Sequence, residues 1–143
     1  SILLFVVNCT DLRVEANRVD MERLAGRSLQ ADHSTTQVVY VTGQLFFGNQ
    51  DKLIRQLEKL EAKTVILSIR GVPGIDVSAL EALGQQLERM ENDGVRVLFC
   101  AVQPAVYKML DRAGIVRETG DKNFFPDTIL ALEALEEEWV KES

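Results

Sequence analysis

Along this chain, short runs that are almost wholly apolar alternate with longer stretches in which apolar residues recur every three or four positions. The runs Gln37 to Thr42 (QVVYVT), Thr64 to Ile69 (TVILSI) and Val95 to Ala101 (VRVLFCA) are rich in β-branched and aromatic residues and predict strands. Helical spacing predicts helices from Asn49 to about Glu61 (Leu53, Ile54, Leu57, Leu60) and from Ser78 to about Asn92, closed by Gly94. It predicts two more: one after Pro104 that carries Val106, Met109, Leu110 and Ala113 and stops at Gly114, and one from Asp127 to about Trp139. Thr10 to Ala25 also reads as a helix, with Leu12, Ala16 and Val19 on one stripe, Thr10 as its cap and Gly26 as its stop. Residues 27–36 are polar and read as a connector with a short strand near Leu29. Parallel strands need crossovers and are buried on both faces, so this alternation predicts an α/β fold whose sheet is covered by helices.

The amino-terminal run departs from that pattern. Ser1 is followed by six apolar residues, Ile2 to Val7. Six residues fall far short of the roughly 20 that cross a bilayer, and the run lacks the basic leader and small-residue cleavage site of a signal peptide. It is either a buried strand or the cut end of a longer apolar segment.

Composition narrows the function classes. The 143 residues are 46% apolar and 27% charged, which suits one globular domain able to bury its own core. The 16 basic residues are outnumbered by 22 acidic ones, a net charge of −6, so no broad positive surface exists for a nucleic-acid backbone. Cys9 and Cys100 lie far apart and outside any Cys/His array, which argues against a zinc site or a disulfide framework and fits a reducing compartment.

Candidate chemistry is sparse. The single histidine, His33, falls in the polar connector and reads as a solvated side chain, and no nucleophile elbow, zinc-helix, Walker or dinucleotide motif is present. No catalytic residue and no metal site is expected. Glu133, Glu136, Glu137 and Glu138 on the last helix read as a solvated face. The loop from Gly71 to Ala79 joins a strand's carboxyl end to a helix, the place where open α/β sheets hold ligands. Ser78 and Glu81 match a capping box, and that reading is preferred. The alternative is that Gly71, Gly74, Asp76, Val77, Ser78 and Ala79 hold phosphate, on a modified Ser78 or a bound nucleotide. Phe46 and Phe47, in the loop Gly43 to Asn49, read first as a hydrophobic staple onto the next helix and otherwise as a partner contact. Trp139 is either an edge of the core or a docking anchor.

The segments VVYVTGQLFFGNQDKL, TVILSIRGVPGIDVSALEAL, GVRVLFCAVQPAVYKMLDRAGI and NFFPDTILALEAL together resemble the STAS domain, over roughly residues 36–138. Gly43 to Phe47 (Gly-x-Leu-Phe-Phe) and Asn123 to Pro126 (Asn-x-Phe-Pro) resemble the branch found at the cytoplasmic end of SulP-type sulfate and bicarbonate transporters. The resemblance implies a four- to five-stranded, mixed but mostly parallel sheet with about four helices. It also implies a juxtamembrane stump and linker helix over residues 1–27 and the domain proper over 28–143. A regulatory, non-catalytic role follows from it, tethered on the cytoplasmic side of the plasma membrane beneath the membrane domain of the same chain. Dimerisation through the full-length transporter, no obligatory cofactor, and a nucleotide in some members are further implications. The other branch, free-standing anti-sigma-factor antagonists, is phosphorylated in an Asp-Ser-Ser-Gly loop; the corresponding residues here are Asp76, Val77, Ser78 and Ala79, so only the first and third match.

Overall fold

The computed structural model describes residues 12–19 and 33–142. Five strands lie side by side in chain order: β1 (Arg13–Arg18), β2 (Thr36–Thr42), β3 (Thr64–Gly71), β4 (Arg96–Cys100) and β5 (Phe124–Phe125). β1 runs antiparallel to β2, and the other pairings are parallel. The helices are α1 (Gln50–Lys59), α2 (Val77–Asn92), α3 (Pro104–Arg112), α4 (Ile115–Thr119) and α5 (Thr128–Glu142). The mixed, mostly parallel α/β sheet is the expected one.

The central strands read as unbroken apolar runs because both their faces are covered. On one face Val39, Val41, Val65, Leu67, Val97 and Phe99 pack beneath α1, α2 and α3 through Leu53, Leu57, Leu83, Leu87, Val106 and Leu110. On the other, Val38, Ile66, Leu98 and Cys100 meet Ala131, Leu132 and Leu135 of α5. Burial of this apolar area is the main favourable term, on the order of 25 cal/mol per Å² removed from water. No helix among the described residues is long and apolar enough to cross a membrane.

The amino-terminal helix is a correction. Within the expected span Thr10 to Ala25, residues Arg13–Arg18 form a strand paired with Arg18↔Gln37 through Arg13↔Thr42. Leu12 and Ala16 fit a period of four as well as a period of two; Val14 fits only the latter, and it packs on the core beside the fully buried Leu12. Ladder bonds to β2 decide the matter. A strand from ahead of the expected boundary at residue 28 thus belongs to the sheet. The apolar run Ile2 to Val7, Cys9 and the strand near Leu29 lie outside the described residues. Two short elements went unforeseen, α4 and the two-residue β5, each too brief to show a period.

Candidate functional site

The two loops singled out in the sequence meet at the carboxyl edge of the sheet. β2 ends at Thr42 and β3 at Gly71, and these two residues are ladder partners across a register shift that follows Tyr40. A β-carbon on Gly71 would lie 2.8 Å from Thr42 Cγ2 and 3.0 Å from Thr42 Cα, so the close approach of the two chains requires glycine there. Beyond it the loops are zipped together. Gly43 N–H donates to Gly71 O (2.8 Å), Leu45 N–H to Gly74 O (3.1 Å) and Asp76 N–H to Leu45 O (3.1 Å). Leu45 and Ile75 form a parallel bridge and are both buried.

Two side chains fix the tips of these loops. Asn49 Oδ1 accepts from Phe46 N–H (3.0 Å), while its Nδ2 donates to Gln44 O (2.7 Å), closing the turn into α1. Asp76 binds both loops at once: Oδ1 accepts from Ala79 N–H (2.8 Å) and Oδ2 from Phe47 N–H (3.1 Å). Asp76 is therefore the N-cap of α2, in extended conformation at φ −82 and ψ 170. This corrects the capping box expected of Ser78 and Glu81. Ser78 lies inside the first turn, and its Oγ donates to Gln50 Oε1 (3.3 Å), tying the first turns of α1 and α2. The anion that a helix N-terminus attracts is already supplied by Asp76, where the sequence allowed phosphate.

The staple reading fails for one of the two phenylalanines. Phe46 is half-buried, but Phe47 is 73% exposed, and Val77, just beyond Asp76, is 70% exposed. Gly71, Gly74, Asp76, Val77, Ser78 and Ala79 therefore share one edge with Phe46 and Phe47. Trp139 does not join them. It is a half-buried residue of α5 whose ring meets His33 at a centroid distance of 5.0 Å, on the edge of the second core.

Residues near Trp139 carry interactions that the sequence concealed. His33 is buried, not solvated, and its Nε2 lies 3.0 Å from Glu136 Oε1. Arg96 clasps Glu138 with two nitrogens (2.9 and 2.7 Å) and donates to Asn123 Oδ1 (2.7 Å). Asn123 Nδ2 in turn donates to Thr119 O (2.6 Å), which sets β5 against β4. Two of the four glutamates expected on a solvated face are thus engaged by distant residues, a pairing to which local periodicity is blind. Among the described residues no group of three His, Cys, Asp or Glu side chains is placed to hold a metal ion. An open groove of about 1110 Å³ beside α5, lined by Tyr40, Ser68, Arg70 and Thr128, touches the candidate residues only at Gly71.

Known proteins resemble this chain in sequence and in fold. The STAS domain family model matches residues 29–129. A Bacillus subtilis protein named "Putative sulfate transporter YvdB" is 24% identical over 115 residues, 78% of this chain. This chain spans 22% of that relative's length. A sulfate transporter family protein from Wolinella succinogenes is 28% identical and superposes with a TM-score of 0.67, over 77% of this chain and 92% of that one. The murine anion transporter solute carrier 26 family member A9, in its inward-facing state, shares the fold at a TM-score of 0.74 and 17% identity, covering 94% of this chain and 24% of its own.

Proposed function

The chain belongs to the STAS domain family, and on that premise we propose that it is the regulatory, non-catalytic domain of a SulP-type inorganic anion transporter, tethered on the cytoplasmic side of the membrane. The observation that carries this reading is the 28% identity to the Wolinella sulfate transporter family protein over nearly all of that chain. The Bacillus relative and the murine transporter support it, since each matches this chain with only about a quarter or less of its own length. Its partner is then the membrane domain of the same chain, in a dimer of full-length transporters. The domain works by contact, through a rigid edge.

The rival reading is a free-standing phosphorylatable switch. The fold of an anti-sigma factor antagonist from Mycobacterium paratuberculosis superposes at a TM-score of 0.67 with 15% identity, which speaks to fold alone. Ser78 is partly exposed, but its hydroxyl is engaged by Gln50, and its neighbour Ala79 is buried. A phosphate on Ser78 would stand close to the Asp76 carboxylate and be repelled by it.

The test is anion uptake by the full-length protein in proteoliposomes, with and without this domain, using labelled sulfate and bicarbonate in parallel. A changed rate at equal membrane abundance is the expected result. An unchanged rate for both anions would remove the regulatory role.

A further inference from the structure

Among the described residues β1 is the outermost strand of the sheet, and no strand lies on its outer side. β5, at the other edge, pairs over two residues only. A sheet edge presents a row of free N–H and C=O groups to any other strand, and proteins deter such pairing with proline, bulges or charge. β1 carries no proline, and its register against β2 runs unshifted from Arg13↔Thr42 to Arg18↔Gln37. Charge is the deterrent that remains, and its pattern decides which strand can pair.

Successive residues of β1 face opposite sides of the sheet. Leu12, Val14 and Ala16 share the side of the larger core; Leu12 is buried, Val14 half-buried and Ala16 exposed. Arg13 and Glu15 share the other side, where Glu15 lines the open groove beside α5. Both are exposed, and neither has an ion-pair partner among the described residues. Arg70 and Asp127, which also line that groove, stand on β3 and ahead of α5, with β2 between them and β1.

A second copy that meets β1 about a two-fold axis normal to the sheet pairs with it antiparallel, and the axis passes through one residue position. An axis at Arg13, Glu15 or Arg18 sets like charges face to face, and an axis at Ala16 or Asn17 sets an apolar residue against Arg18. An axis at Val14 sets Arg13 against Glu15 of the second copy and Glu15 against its Arg13. On the other side it sets Val14 against Val14 and the exposed Ala16 against Leu12. Charge thus rejects the other registers within β1 and admits this one.

We propose that two copies of this chain join edge to edge through β1, in the antiparallel register centred on Val14, to form one continuous sheet held on one side by two Arg13–Glu15 ion pairs. The inference stands on this chain's own residues and does not need the transporter reading. An interface of so few residues is small, so the free chain dimerises weakly, and any tether that holds two copies together strengthens the pairing by raising their effective concentration.

The experiment uses the 143-residue chain carrying Cys9→Ser, in which the buried Cys100 is the remaining native cysteine. In the proposed register the two residues at position 14 have α-carbons about 4.5–5.5 Å apart, within disulfide reach, whereas those at position 16 are about 14 Å apart and beyond it. Mild oxidation is therefore expected to link Val14→Cys into a dimer at least about tenfold more than Ala16→Cys. In sedimentation equilibrium, Arg13→Glu and Glu15→Arg are each expected to weaken self-association roughly tenfold, and the double variant to return to within about twofold of the parent. Recovery in the double variant separates the ion pairs from a folding defect. A parent that stays monomeric up to about 1 mM, equal linking at positions 14 and 16, or a double variant no tighter than the single ones would each overturn the pairing.

Discussion

His33 Nε2 lies 3.0 Å from Glu136 Oε1, a contact that joins the residue ahead of β2 to the last helix across 103 positions of sequence. The imidazole is fully buried and the carboxylate nearly so, while His33 Nδ1 has no hydrogen-bond partner. Removing Glu136 takes the carboxylate from a buried imidazole, and removing His33 empties a buried site. Glu136→Ala and His33→Ala are each expected to lower stability by about 1–3 kcal/mol in urea unfolding. A double-mutant cycle should show a coupling of about 0.5–3 kcal/mol. Additive effects would mean that the contact contributes nothing of its own.

The competition between Asp76 and Ser78 for the cap of α2 can be weighed directly. Asp76→Ala breaks the bonds to Ala79 N–H and Phe47 N–H together and is expected to cost about 1–2 kcal/mol. Ser78→Ala loses one long side-chain bond to Gln50 and is expected to cost less than about 0.5 kcal/mol. Hydrogen exchange at the amides of Phe47 and Ala79 should quicken in the first variant only. The reverse order of costs would restore the serine cap.

Much of this architecture was legible in the residues, and what was not shares a cause. β2, β3 and β4 announce themselves because burial on both faces leaves them no polar alternation, and α1 to α3 because one face meets the core. β1 was hidden since Leu12 and Ala16 suit either period, and its partner strand, β2, lies far along the chain. The cap was misplaced by two residues because Ser78 and Glu81 match a common pattern, whereas Asp76 is chosen by the path of the loop from Gly74. The roles of His33, Arg96 and Glu138 depend on partners more than 40 residues away, which no local window contains. At the candidate edge the two loops were legible but the exposure of their side chains was not: Phe47 was better suited to a staple until Asn49 closed the turn beneath it.

Ala101, just after β4, stands at φ +56, a left-handed conformation that a β-carbon disfavours. Its N–H donates to Phe125 O (2.9 Å), so the link to β5 holds it there. Ala101→Gly is expected to leave stability unchanged or raise it by up to about 1 kcal/mol, and the β-branched Ala101→Val to lower it by more than about 1 kcal/mol. Thermal unfolding of the two variants checks the sign.

Burial pushes the Cys100 thiol up to about 12. A thiol whose proton is held more tightly when folded stabilises the fold fully below the ordinary thiol range. That contribution drains away as pH rises from about 9 toward 12. Unfolding of Cys100→Ser should therefore lose less stability between neutral and strongly alkaline pH than the parent. Burial keeps the thiolate scarce and out of reach at pH 8, so maleimide should label Cys100 only on unfolding, and rapid labelling of the folded chain would contradict the burial.

The antiparallel pairing of β1 has a mechanical consequence. Its ladder bonds lie across the strand, so tension drawn along β1 from the amino-terminal side strains all six residue pairs from Arg13↔Thr42 to Arg18↔Gln37 at once, in shear. The pairs do not open in succession as the teeth of a zipper do. A pull on the polypeptide ahead of Arg13 is thereby carried to β2 through the whole ladder and not through its first pair alone.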